Sequence, residues 1–89
     1  MSARELWSAM CLPLPPDQKL VMIFLAEFCD QDHYCEINLA ELGRYTGFSE
    51  DELAGILQRM AQSKRIVRDP IDRNIFKINL EGAYVEQSN

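Results

Sequence analysis

Nothing in the sequence is long and apolar enough to lie across a membrane. The longest apolar run, residues 20–26, falls far short of the roughly 20 residues a bilayer span needs. Residues 1–10 carry Arg4 and Glu5 and show no apolar stretch leading to a small-residue cleavage site, so no secretory leader is expected. Histidine occurs once, as His33, and no serine or cysteine is placed as a nucleophile beside it. With no Gly-rich phosphate loop and no paired-acid motif, the sequence predicts neither catalysis nor a cofactor. The three cysteines lack disulfide-framework spacing, which fits a reducing, cytoplasmic setting. Basic residues are outnumbered, 9 Lys and Arg against 14 Asp and Glu, so the net charge of −5 favours neither nucleic acid nor an anionic membrane as a default partner. Repeats, low-complexity runs and linkers are absent, and 89 residues hold one domain.

What is present is a core. Hydrophobic residues make up 47% of the chain, enough for one modest interior at this size. Leu6, Trp7 and Met10 recur at helical spacing and predict a short amphipathic helix over residues 3–11. Three prolines within residues 12–16 break it. Pro16 suits a first helical position, Asp17 complements the helix dipole, and Leu20, Val21, Phe24, Leu25 and Phe28 give the next helix, running to Cys29, a wide apolar face. Residues 35–37 predict a short strand. Asn38 with Glu41, and Ser49 with Glu52, are two capping-box signatures, and Gly47 between them can close the first of these helices. Leu39 and Leu42 point inward on one, and Leu53, Ile56, Leu57 and Met60 form the stripe of the other. The period then changes: residues 66–68, a turn over 69–74 and a strand over 75–80 predict a β-hairpin, with Phe76, Ile78 and Leu80 on its buried face. The reading divides the chain into an N-terminal helix with a Pro-rich connection (1–15), a folded domain (16–80) and a polar tail (81–89).

The run Pro16-Asp17-Gln18-Lys19-Leu20-Val21, the segment Leu39-Ala40-Glu41-Leu42-Gly43-Arg44-Tyr45-Thr46-Gly47-Phe48-Ser49, the stripe Leu53, Ile56, Leu57 and Met60, and then Ile66 together carry a resemblance. Over residues 16–80 the chain resembles the winged helix-turn-helix domains of phage and plasmid replication initiators and of bacterial transcription regulators. The resemblance implies an α+β, mostly α fold: a three-helix core, a C-terminal β-hairpin wing and an extra N-terminal helix. It also implies that the helix opening at Ser49 reads DNA. Its first exposed positions, usually basic or polar in such domains, are here Glu50, Asp51, Ala54 and Gly55. Two carboxylates facing phosphates are repelled and release no counterions, although acids at a helix N-terminus also stabilise the dipole.

Two functions therefore stand side by side. In the first, the chain binds double-stranded DNA as a regulator of transcription or a replication accessory, through Arg44, Gln58, Arg59, Arg73, Asn74 and Lys77. In the second, it docks on a protein through the acidic edge Glu50, Asp51 and Glu52 and does not bind DNA. Leu6, Trp7 and Met10 are candidate contacts of a homodimer built through the N-terminal helix, an arrangement the resemblance implies for small domains of this kind. Cys29, His33 and Cys35, with Asp30 and Asp32, are possible ligands, but their spacing matches no zinc pattern and no metal site is expected.

Overall fold

The computed structural model describes residues 3–82. The reading of residues 83–89 as part of a polar tail lies outside the described residues. The chain is α+β and mostly helical, in the order α1 (Ala3–Cys11), α2 (Pro16–Phe28), β1 (Tyr34–Glu36), α3 (Leu39–Thr46), α4 (Glu50–Gln62), β2 (Ile66–Arg68) and β3 (Ile75–Ile78). The strands form an antiparallel sheet in the order β1-β3-β2.

Local chemistry sets the helix boundaries. Pro16 opens α2 without an N–H to leave unpaired. Asn38 opens α3: its side chain accepts the Glu41 N–H at 2.8 Å, and the Glu41 carboxylate accepts the Asn38 N–H at 3.4 Å. Ser49 and Glu52 repeat the exchange at α4, at 3.1 and 2.8 Å. Between them Gly47, at φ 85°, takes the left-handed conformation and donates its N–H to Gly43, which ends α3 and turns the chain within residues 47–49.

α2 is the central helix. It packs against α1, α3, α4, β1 and β3. Val21, Met22, Leu25 and Ala26 are its buried residues, joined by Leu42 from α3, by Leu53, Ile56, Leu57 and Met60 from α4, and by Phe76 and Ile78 from β3. Ala9 and Leu12 belong to the same core. The sequence placed Phe28 on the inward face, and here it is corrected: Phe28 is 41% exposed, lying 5.2 Å from the Tyr45 ring at the open end of α2. Phe24 is half-buried and stacks on Tyr45 at 5.6 Å. Met22 and Ala26 take the inward places because α2 is packed on more than one side.

β2 runs over 66–68 as read from the sequence, and the other two strands are shorter or shifted by one or two residues. β1 runs over 34–36 instead of 35–37, although the Ile37 N–H still donates to Asn74 at 2.8 Å. β3 stops at Ile78 and not Leu80, which is half-buried. Register sets two faces. Cys35 and Phe76 pair on the buried side, and Tyr34, Lys77 and Val67 form a row across the outer side.

Candidate functional site

Ala54, Leu57, Gln58 and Ala61 recur at helical spacing on α4 and face the β2–β3 hairpin. Ala54 and Ala61 are small, and a groove opens there, bounded across from α4 by Ile66, Arg68 and Arg73. The hairpin forms the other wall of this groove. The Asp69 carboxylate accepts the N–H groups of Ile71 (3.0 Å) and Asp72 (2.6 Å), and the Asp72 carboxylate accepts that of Asn74 (3.0 Å). These bonds hold the turn in one shape and direct two of its carboxylates at its own backbone. They leave Ile71 at the tip, 92% exposed.

Arg68 is held in place by contacts within the chain. Its Nε donates to the Arg73 carbonyl at 2.6 Å, and its guanidinium carbon lies 5.0 Å from the centre of the Phe76 ring. Burial, and secondarily the Arg73 charge, push the Arg68 pKa downward, which still leaves the group protonated at neutral pH. Arg68 and Arg73 thus bring two positive charges to one groove. Among the described residues neither forms an ion pair with a carboxylate.

The residues singled out from the sequence as nucleic-acid contacts are distributed unevenly. Gln58 and Arg73 meet in the groove, with Asn74 beside Arg73 in the turn. The Asn74 main chain is spent on Asp72 and Ile37. Arg59 lies on the other flank of α4, with Nη2 3.4 Å from the Asp17 carboxylate. Arg44 is exposed on the last turn of α3. Lys77 is on the outer face of the sheet, its Nζ 5.0 Å over the Tyr34 ring. Arg68 was not singled out from the sequence. The signal was the strand alternation: Ile66 inward and Val67 outward make Arg68 inward again, beside α4.

Of the acidic set, the Glu52 carboxylate is occupied by the Ser49 N–H. Glu50 and Asp51 are exposed at the N-terminal end of α4. Asp17, Asp51, Glu52 and Arg59 border a separate depression with Phe48, Gly55 and Ile56. On α1, Trp7 is 54% and Met10 45% exposed, and Leu6 is half-buried.

The possible metal ligands separate. Cys29 and Cys35 face each other across an isolated antiparallel bridge, both buried and both free thiols. Burial, helped by the charges of Glu5 and Asp30, raises the Cys29 thiol, and burial pushes the Cys35 thiol up to about 12. His33 turns instead toward Glu5, at 3.4 Å. Among the described residues no group of three or more His, Cys, Asp or Glu is arranged to hold a metal ion, and no helix is long and apolar enough to cross a membrane.

No protein-family model matches the chain, and no curated protein or solved structure matches it.

Proposed function

We propose that this chain is a winged helix-turn-helix protein that binds double-stranded DNA through the groove between α4 and the β2–β3 hairpin. In this reading α3 and α4 are the helix-turn-helix and the hairpin is the wing. One observation carries it: Gln58, Arg68 and Arg73 converge in that groove, and neither arginine has a carboxylate partner there among the described residues. Guanidinium groups fit phosphate oxygens in a fixed fork geometry, and Gln58 adds a side-chain amide that can reach phosphate or a base edge.

The acids at the start of α4 shape how DNA is met. Glu50 and Asp51 repel phosphates, whereas the hairpin end of the groove attracts them, so the duplex seats toward the hairpin. Contacts of this kind fix position more than they read sequence. Binding is therefore weak, salt-dependent and largely indifferent to sequence. The test is filter binding of a mixed-sequence duplex at about 50 mM salt, a condition that favours electrostatic contacts. Replacing Arg68 and Arg73 together by Gln should sharply reduce retention, and unchanged retention by a folded double variant would contradict the assignment.

A second reading has its own support. Glu50 and Asp51 are exposed and unpaired among the described residues on a chain of net charge −5. They suit a basic protein partner, and neutralising them would then slow association with that partner and leave DNA binding absent.

A further inference from the structure

Another groove lies at the end of the sheet where β2 begins and β3 ends, sharing Ile66 with the groove proposed for DNA. Val67 and the half-buried Leu80 contribute apolar surface over the buried Ile66 and Ile78, with His33, Lys64 and Lys77 around it. Two independent features mark it. The first is backbone strain. Among the described residues the non-glycine positions at positive φ are His33 (68°) and Lys64 (67°), and both line this groove. Lys64 closes α4: its N–H donates to Ala61 at 3.1 Å, and the Arg65 N–H donates to Met60 at 2.8 Å. That closure ordinarily takes glycine at its left-handed residue, because a Cβ there meets the neighbouring carbonyl. A lysine is held at a position where glycine would fold better, and strain of this kind gathers where a side chain is needed for something other than folding.

The second feature is charge and surface. The amines of Lys64 and Lys77 have no carboxylate partner among the described residues, while His33 is engaged by Glu5. Val67 is 63% exposed beside them, and Tyr34 offers its ring under the Lys77 amine. Among the described residues Glu81 is the one acidic residue lining the groove, on a chain that is acidic overall.

From these features we infer that this groove docks an acidic peptide segment of a partner protein, with carboxylates on Lys64 and Lys77 and an apolar side chain seated against Val67 and Leu80. A single-stranded nucleic acid fits less well. Its bases need open aromatic faces to stack on, and here aliphatic residues dominate the surface and Lys77 covers the Tyr34 ring.

The experiment titrates the full chain, labelled with nitrogen-15, with a short peptide of Asp and Glu around one Leu and one Phe. Its counterpart with Asn and Gln and a thymidine oligonucleotide serve as comparators. The acidic peptide should shift the amides of Lys64, Val67, Lys77 and Leu80, and the neutral one should not. Lys64→Gly should raise the melting temperature by about 4 °C and weaken the peptide about two- to fivefold at low salt. Lys77→Gln should weaken it similarly and leave folding unchanged. A Lys64→Gly protein that is more stable yet binds the peptide as before makes the lysine merely tolerated and overturns the proposal. So do equal shifts with the neutral peptide, stronger shifts with the oligonucleotide, or proton–proton contacts in the free chain that place residues 83–89 in the groove. None of these outcomes depends on whether the α4–hairpin groove binds duplex DNA.

Discussion

Gly43 lies where α3 passes closest to the turn that follows it. A Cβ there would stand 2.9 Å from the Phe48 carbonyl oxygen and 3.7 Å from Leu53 Cδ1. Gly43→Ala gains up to about 1 kcal/mol of helix propensity but drives a side chain into backbone, at about 1–3 kcal/mol. A net loss of stability is expected in urea denaturation. At Gly55 the nearest atom is the movable Arg59 Nη1 at 3.5 Å, so Gly55→Ala should stabilise by about 0.5–1 kcal/mol. Shifts of the same sign would contradict this account of the α3–α4 packing. Cys35 gives a pH signature. Its thiol keeps its proton in the fold to about 12, against an ordinary value of 9.0. The unfolded thiol ionises first as pH rises. The stability this group contributes is therefore complete below about 9 and declines by about 1.4 kcal/mol per pH unit from there to about 12. Urea midpoints of the native chain should fall more steeply across that window than those of Cys35→Ala, and parallel slopes would show that the thiol is not desolvated.

At the scale of elements, α4 is fastened to the interior by four residues. Leu57 is buried among them, one turn from each alanine of the groove. Leu57→Ala should cost about 2–5 kcal/mol, a large share of the stability of a domain this small. A thermal melt unchanged by the substitution would mean that α4 does not pack as described. How much of this was legible depended on the range of the interaction. The caps at Asn38 and Ser49 and the closure at Gly47 are exchanges within a few residues, so spacing alone revealed them. The inward face of α2 was only partly readable, because periodicity shows that a face is apolar but not how many neighbours cover it. Phe28 thus turned outward onto Tyr45, and Met22 and Ala26 went inward. The candidate site was harder still. Gln58 and Arg73 were legible as exposed polar groups on two elements. Their meeting with Arg68 depends on which sheet face α4 covers, a tertiary fact. The same fact sends Lys77, four residues from Arg73, to the opposite surface.

For the whole molecule, the first question is whether it acts alone. Trp7 and Met10 lie one turn apart and exposed on α1, an arrangement suited to a seam between two copies. Ala9 and Leu12 are buried in the common core, so removing α1 would damage the fold. Trp7→Ser with Met10→Ser leaves that core intact. Sedimentation should show a dimer for the native chain and a folded monomer for the double variant, and a native chain that is monomeric at high concentration removes the seam. The proposed DNA binding asks a chain of net charge −5 to meet a polyanion. The reading rests on segregation of charge, with carboxylates at the start of α4 and two guanidiniums where α4 meets the hairpin. The direct measurement is fluorescence anisotropy of a labelled duplex from about 50 to 200 mM salt, the range over which phosphate contacts lose their hold. It compares the native chain, Glu50→Gln with Asp51→Asn, and Arg68→Gln with Arg73→Gln. The account predicts binding that weakens with salt, tightens on neutralising the acids, most at low salt, and loses about one unit of salt slope for each arginine removed. No binding at about 50 mM salt, before or after the acids are neutralised, would contradict it.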